Sequence, residues 1–358
     1  MEIFVLFLVS ILFLISFFNF ITARSLRPSS KPIASSVSIL IPMRNESINA
    51  KEVVDSALAQ VDVPNLEVIV LDDFSSDETL KILNSIRDER FRSLMGQDLP
   101  KDWLGKNFAL NTLASNASAE FLVFIDADVR LEKEAVSSAI SLMNELGWDY
   151  ISPYPRQIAN GFLARTVQPL LQWSWFATLP LRLIESSRQT STAVANGQFF
   201  IVKSSAYKAC GGHFAIKGEV LDDLELARLL RRHSYLGSVV DASSVSSCEM
   251  YRSSSELIAG YSKSQWRAFG GTFGALVAIA LMFVSSVLPA VALITFESWA
   301  VASYLILILS RLMAAMRTRS VTSTAPLHPL AITIWIFLIF RSLLLKRMGK
   351  LEWRGRTI

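Results

Sequence analysis

Charge and cysteine are both scarce in this chain. Of its 358 residues, 18% are charged and 51% are hydrophobic. Ordinary soluble domains carry roughly 25% charged residues, so part of the chain is expected to have lipid as its solvent. Cys210 and Cys248 are the two cysteines, and there are three histidines. With no C-x-x-C spacing, this excludes a disulfide framework and a zinc site for want of ligands, and a reducing, cytoplasmic setting is expected. No G-x-G-x-x-G is present, so a dinucleotide fingerprint is excluded. A basic stripe is missing too. The net charge of +4 comes from Lys and Arg at the edges of apolar segments and near the C-terminus, which makes a membrane surface, and no nucleic acid, the expected partner.

What is present divides the chain into regions. Residues 1–23 are almost unbroken Phe, Leu, Ile and Val, about the 20 residues a helix needs to cross a bilayer. Glu2 precedes this run, while Arg24, Arg27 and Lys31 follow it. A cleaved signal peptide has the opposite order, so an anchor is expected, with a cytoplasmic region after it. Residues 24–35, with Pro28 and Pro32, form a linker.

From Ser36 onward, short apolar runs alternate with amphipathic stretches, the pattern of an α/β domain with Rossmann-like architecture. Strands are expected at Val37–Ile41, Glu67–Leu71 and Phe121–Ile125. Helices are expected at Ile48–Gln60, Asp77–Arg87 and Lys106–Asn116, with another starting near Leu131. Residues 162–185 are rich in Leu, Trp and Phe but punctuated by Arg165, Gln168, Gln172 and Arg182. This composition points to helix lying in the membrane interface. Three apolar segments fill residues 271–345 and a basic tail occupies 346–358. If all three cross, the tail ends opposite the α/β domain and breaks the positive-inside rule, so one of them is expected to be re-entrant or interfacial.

The chemistry concentrates at strand ends. Phe121–Ile125 runs into Asp126-Ala127-Asp128, and in open α/β sheets ligands bind beyond the carboxyl ends of the strands. Mg²⁺ or Mn²⁺ is commonly held by one or two carboxylates together with substrate phosphates, so Asp126 and Asp128 suffice as protein ligands. The plain alternative is that Asp128 caps a following helix. A second acidic strand end carries Asp72 and Asp73, able to accept hydrogen bonds from a nucleobase or a ribose, or else to sit solvated in a turn. Ser75, Ser76 and Asp77 beyond them are helix N-cap candidates.

These segments occur in an order that resembles family 2 glycosyltransferases of the GT-A fold. The resemblance rests on Val37–Glu46, Asp72-Asp73, Gly105–Asn111 and Asp126-Ala127-Asp128, and covers residues from about 36 to 270. It implies a GT-A α/β domain of mixed sheet, with N- and C-terminal transmembrane helices around it. It also implies that Pro42, Arg44, Glu46, Asp72, Asp73 and Lys106 serve the donor nucleotide, and that Asp126 and Asp128 hold a divalent metal against its diphosphate. Lys106 suits a phosphate, and a solvated helix-end lysine is the alternative.

The family's Glu-Asp pair corresponds to Asp222-Asp223, which makes Asp223 the candidate base of an inverting transfer. The competing explanation for these acids is a helix N-terminus and its dipole. Asn196–Val202 and Gly211–Phe214 resemble the acceptor side, and His213 alone reads as an ordinary loop histidine. The family's Q-x-x-R-W motif corresponds to Gln265-Trp266-Arg267, with the tryptophan moved ahead of the arginine and the spacing shortened. Gln265 and Arg267 are therefore candidates for the donor diphosphate, with Lys263 and Arg267 able to meet lipid headgroups instead.

Among relatives, the layout resembles ceramide glucosyltransferases and bacterial enzymes that glycosylate hopanoid or carotenoid lipids. The resemblance implies a multi-pass cell-membrane enzyme with a cytoplasmic catalytic domain, moving a hexose from a nucleotide sugar, expected to be a UDP-sugar, to a lipid acceptor. A processive polysaccharide synthase of the same fold would need more membrane helices and an intact Q-x-x-R-W. An inactive scaffold would be expected to have lost the acids.

Overall fold

The computed structural model describes residues 1–29, 31–350, 352–353 and 356–357. The linker expectation at Ser30 and the basic-tail expectation at Leu351, Arg354, Gly355 and Ile358 lie outside the described residues. In chain order the elements used below are α1 (Glu2–Thr22), β1 (Val37–Met43), α2 (Ala50–Leu58), β2 (Leu66–Asp72), α3 (Thr79–Leu83), β3 (Phe91–Met95), α4 (Gly105–Ser115), β4 (Phe121–Ile125) and β5 (Val129–Leu131). There follow α5 (Ala135–Leu146), β6 (Tyr150–Tyr154), α6 (Gly161–Val167), α7 (Pro169–Thr178), β7 (Phe199–Lys203), α8 (Asp222–Arg232), β8 (Gly237–Asp241), β9 (Ser246–Cys248) and α9 (Ser254–Ala268). The last three are α10 (Thr272–Thr295), α11 (Ser298–Arg317) and α12 (His328–Arg347).

The chain forms two compact units, one of Arg24–Arg156 with Leu183–Cys248 and one of Met1–Ala23, Gln157–Arg182 and Glu249–Ile358. Residues 24–35 thus cluster with the first unit, and residues 157–182 and 249–270 with the second.

The first unit is built on a seven-stranded sheet in the order β3-β2-β1-β4-β7-β6-β8. Strands β1 to β4 are parallel to one another, and β7 enters antiparallel between β4 and β6. The sheet is therefore mixed, as the GT-A expectation requires. Its central strands read as continuous apolar runs because both faces are covered. Leu122 and Phe124 of β4 pack with Leu110 and Leu113 of α4 and Leu226 and Leu230 of α8. The alternate residues Phe121 and Val123 are equally buried, as are Val53 and Val54 of α2 and Val136 and Ile140 of α5.

Register aligns the functional ends. Met43 lies opposite Asp72 and Leu40 opposite Phe124, so Arg44, Asp73 and Asp126 all leave the sheet at one edge. The β1–β4 ladder ends at Leu40–Phe124, just before Pro42, which has no N–H to donate. The helix expected to start near Leu131 is α5, which begins at Ala135; Val129–Leu131 just before it is a short strand paired antiparallel with Ser246–Cys248.

Among the described residues of the second unit, four helices are long and apolar enough to cross a membrane: Glu2–Thr22, Thr272–Thr295, Ser298–Arg317 and Ala325–Arg347. A seam of small residues joins two of them. Ser16 Oγ of α1 lies 2.7 Å from Ser310 Oγ of α11, with Ala300, Ser303 and Ala314 buried along α11. Small residues let helix backbones approach where lipid offers no hydrophobic drive. The punctuated 162–185 region contributes α6 and α7, of 7 and 10 residues, each too short to cross a bilayer. Its glutamines face protein: Gln172 Nε2 donates to Thr318 Oγ1 at 3.1 Å and Gln168 Nε2 to Gln157 Oε1 at 3.2 Å. Asn19 of α1 donates to the carbonyls of Phe176 and Leu179 at 2.8 and 2.7 Å, supplying partners where α7 ends.

Candidate active site

The loops after β1 and β2 are laced together by short polar side chains. Asn45 N–H donates to Ser75 Oγ at 2.9 Å, Glu46 N–H to Thr79 Oγ1 at 2.8 Å, and Ser47 N–H to Asp77 Oδ2 at 3.0 Å. Asp77 also accepts from Thr79 N–H at 3.0 Å. Its burial opposes ionisation, but these hydrogen bonds outweigh it and bring its carboxyl down to about 2. Of Ser75, Ser76 and Asp77 none is the N-cap of α3, which is Glu78; Asp77, one residue earlier, ties the start of that helix to the loop after β1. Arg44 Nη1 donates to the Asp73 carbonyl at 2.9 Å and lies 3.6 Å from its carboxylate. Asp72 is buried and accepts from Ser75 N–H at 3.2 Å. Neither Asp72 nor Asp73 is a solvated turn residue.

Lys106 stands in the first turn of α4, where the helix dipole disfavours a cation. Two acids reverse that. Its Nζ lies 2.9 Å from Asp126 Oδ1 and 3.3 Å from Asp222 Oδ2. Burial works against its charge, but Asp126 and Asp222 prevail and hold it firmly protonated. One lysine therefore joins the end of β4 to the start of α8. Asn107, its neighbour, is buried and donates from Nδ2 to the carbonyls of Ile216, Lys217 and Glu219 at 2.8, 3.3 and 2.9 Å. Those bonds fix the segment leading into Asp222.

Asp223 occupies the opening turn of α8, and its carboxylate is aimed by two backbone donors. Gly197 N–H donates to Oδ2 at 2.6 Å and Leu224 N–H to Oδ1 at 2.8 Å. Burial and the adjacent Asp222 raise its pKa to about 6, with Lys106 pulling the other way. The dipole of α8 alone does not account for such a group, because a dipole lowers a carboxyl pKa. A small cleft lined by Asp126, Asp222, Asp223, Gly197 and His213 sits over these acids.

Gly197 touches the candidate base. A Cβ there would stand 3.2 Å from Asp223 Cβ and 3.5 Å from Oδ2. Gly197→Ala is expected to keep the fold, since overpacking of this kind costs ~1–3 kcal/mol, and to lower turnover by roughly tenfold through misplacement of the carboxylate. Steady-state kinetics alongside a melting curve checks this; unchanged turnover would mean that the aim of Asp223 is unimportant.

His213 is a residue that sequence reasoning passed over. It is 2% exposed. Tyr207 Oη accepts the His213 backbone N–H at 3.0 Å and lies 2.8 Å from Nδ1, which holds the ring in place. Burial brings its pKa down to about 4, aided by Lys106 and opposed by Asp222. The ring is therefore neutral near pH 7, and it lines the cleft wall. This pairing needs Gly212, whose φ is +50° and where a Cβ would fall 2.3 Å from the Tyr207 ring.

Asp128 is not a helix cap, because a strand follows it. One carboxylate oxygen, Oδ1, is buried with no hydrogen-bond partner among the described residues. Burial, then Asp126 and Glu46, raise its pKa to about 7. Its hydrogen-bonding neighbour is Cys248, which the register brings opposite Val129. Nothing in the sequence pairs these two positions. Among the described residues no group of three or more His, Cys, Asp or Glu is placed to hold a metal, so an ion at Asp126 and Asp128 would draw its other ligands from phosphate and water.

Gln265 and Arg267 belong to the second compact unit. Gln265 is buried and its Oε1 accepts from Trp335 Nε1 at 2.9 Å. The Arg267 guanidinium lies 5.8 Å from the centre of the Trp266 ring.

The sheet is mixed, with acids gathered at the carboxyl ends of its strands, and the matches to known proteins make this protein a glycosyltransferase. Residues 38–211 match the family model described as "Glycosyl transferase family 2": the chain carries a domain of that family. It is 25% identical over 344 residues to a 4,4'-diaponeurosporenoate glycosyltransferase of Staphylococcus aureus (strain bovine RF122 / ET3-1), covering 90% of this chain and 88% of that one. To the protein of the same name from S. aureus (strain USA300) it is 27% identical over 244 residues, 66% of this chain and 62% of that one. In fold it is similar to a mannosyltransferase of Pyrobaculum calidifontis solved in complex with GDP-Man and Mn2+. That match has a TM-score of 0.59 at 16% identity and covers 94% of this chain and 98% of the other.

Proposed function

We propose that this glycosyltransferase moves a hexose from a nucleotide sugar, a UDP-sugar, to a lipid-type acceptor at the cytoplasmic membrane face, with inversion. The observation that carries the reading is the Lys106–Asp126–Asp222–Asp223 constellation. Arg44, Glu46, Asp72 and Asp73, on the laced loops beside Pro42, form the nucleoside side. A divalent cation, Mg²⁺ or Mn²⁺, fits Asp126 and Asp128, because the buried Oδ1 of Asp128 lacks a protein partner. When bound it neutralises charge on the departing nucleoside diphosphate.

The chain's own residues do the rest. Lys106 stabilises phosphate charge at the end of β4. Asp223, held by Gly197 and Leu224 N–H groups, takes the proton of an acceptor hydroxyl as its oxygen attacks the anomeric carbon. The neutral His213 ring orients the acceptor from the cleft wall. Arg267, in the second unit, is assigned to lipid headgroups. The relatives' name supports an isoprenoid acid as the acceptor class.

An acid acceptor changes the demand on Asp223. A carboxylate nucleophile is already ionised near neutral pH and needs no base. The test uses purified enzyme in lipid nanodiscs, a panel of nucleotide sugars and extracted membrane lipids, with mass spectrometry of the product and its anomeric configuration from NMR couplings. One lipid gaining one hexose of inverted configuration is the expected result. A polymer, or retained configuration, overturns the reading.

A further inference from the structure

We infer that residues 318–347 form a re-entrant hairpin, entering and leaving the membrane by the face at which α1 and α11 end, so that the basic end of α12 meets the same anionic leaflet as the segment after α1. The inference rests on the reading of α1, α10 and α11 as membrane spans.

Helices α1 and α11 run parallel. Ser16 pairs with Ser310 at 2.7 Å, and further along both helices the Ala23 carbonyl accepts from Arg317. Their C-terminal ends therefore share one face. After Arg317 the chain does not begin a new crossing there. It runs back down α11: Thr324 Oγ1 lies 3.4 Å from Arg311 Nη2, and the Pro326 carbonyl accepts from Tyr304 Oη at 2.9 Å. At about 1.5 Å of rise per residue, Tyr304 lies roughly 20 Å below Arg317. The loop has thus descended most of the apolar layer before α12 starts.

The start of α12 is fixed at the same depth from a second direction. His328 Nε2 lies 3.3 Å from Ser286 Oγ of α10, and Ser286 is about 20 Å along α10 from Thr272 by the same rise. From there α12 climbs towards the beginning of α10. Trp335 Nε1 donates to Gln265 of α9, Trp266 N–H donates to Ser342 Oγ at 3.3 Å, and Lys346 Nζ lies 3.5 Å from the Trp266 ring centre. Helix α9 immediately precedes Thr272, so α12 ends where α10 begins.

Non-helical backbone at membrane depth is tolerated where protein covers it or where it lines a water-filled cavity; in this loop Thr318, Thr324 and Ala325 are buried against protein, while Arg319, Thr322, Ser323 and Pro326 are exposed. Thr324 Oγ1 donates at 2.6 Å to the Arg165 carbonyl, the one whose helical donor would be Pro169, which has no N–H. Arg311, fully buried on α11, donates to the Thr166 carbonyl at 2.6 Å. The break between α6 and α7 and the re-entrant loop satisfy one another.

Charge follows the same division. Arg24, Arg27 and Lys31 follow α1, and Arg317, Arg319, Lys346, Arg347 and Lys350 flank the hairpin. At the other ends of the spans stand Glu2 and Glu297. A full crossing by α12 would separate the two basic groups; the hairpin unites them, as the positive-inside rule asks.

The test places single cysteines by Lys31→Cys, Glu297→Cys and Lys350→Cys in the full-length protein and labels them with a membrane-impermeant maleimide in intact cells and in inverted vesicles. The native Cys210 and Cys248 are buried, so the parent protein supplies the blank, and retained transferase activity certifies each variant. Positions 31 and 350 are expected to label at least about tenfold faster from one side, and position 297 from the other. Labelling of 350 together with 297, opposite 31, overturns the hairpin and makes α12 a crossing. Labelling of 31 and 297 from one side overturns the spanning reading beneath it.

Discussion

Replacing Asp223 by asparagine is expected to lower kcat with a hydroxyl acceptor by roughly 10²–10⁴-fold, the usual worth of a positioned general base, while donor affinity stays within about twofold. Asparagine keeps the shape, but its amide must meet one of the two N–H donors from Gly197 and Leu224 that now bond the carboxylate. A small loss of Tm, equivalent to about 1 kcal/mol, is expected from that mismatch. Measuring Tm and donor binding next to kcat separates this cost from lost chemistry.

The pH profile carries an independent signature. Asp223 works as a base only when ionised, and its pKa is raised to about 6. Activity is therefore expected to fall tenfold per unit as pH drops below about 6, and that limb should vanish in Asp223→Asn. The neighbours move the limb in opposite senses. Asp222 raises the pKa and Lys106 lowers it, so Asp222→Asn should shift the limb to lower pH and Lys106→Met to higher. Should Asp223→Asn cost less than tenfold with the natural acceptor, the nucleophile is a carboxylate, and Asp223 serves to place it.

How much of this was readable beforehand depended on whether a residue's role is local. The strands Val37–Ile41, Glu67–Leu71 and Phe121–Ile125 were legible because both of their faces are buried, and they recur as Val37–Met43, Leu66–Asp72 and Phe121–Ile125. Phe91–Met95 was not. It is the edge strand of the sheet and half exposed, so its pattern FRSLM carries no apolar run. The helix expected near Leu131 starts at Ala135, and the short strand Val129–Leu131 before it was not legible because its partner, Ser246–Cys248, lies far along the chain. The acids were legible as strand ends; their relations were not. Lys106 was read as facing phosphate, and only the fold brings Asp126 and Asp222 to it together. His213 offered no signal beyond a Gly-Gly-His turn, since its meaning comes from Tyr207 across one helical turn. The doubt over the last apolar segments came from counting charges against crossings, which the Tyr304–Pro326 and Ser286–His328 contacts address directly.

The second large effect is expected at Asp128. Its buried Oδ1 has no partner among the described residues, and burial with Asp126 and Glu46 lifts its pKa to about 7. The folded carboxyl then holds its proton more tightly than the unfolded one. Its contribution to stability is present below the ordinary carboxyl value near 4 and lost as pH rises through about 7. At pH 8, without divalent metal, Asp128→Asn should accordingly be more stable than the parent, with a Tm higher by a few degrees. With Mn²⁺ added the order should reverse: the parent gains Tm with metal concentration by mass action, and the variant gains little. Turnover of the variant should fall by about 10²-fold or more, as expected when charge stabilisation at a leaving group is removed. Cys248→Ala, which leaves both aspartates in place but removes the hydrogen-bonding neighbour of Asp128, should raise the Mn²⁺ concentration needed for half the Tm gain by about tenfold, the scale of an outer-shell contact. Full activity of Asp128→Asn, or equal metal-dependent Tm gains in variant and parent, would remove the metal from Asp126 and Asp128 and leave Lys106 as the counter-charge proposed for the diphosphate.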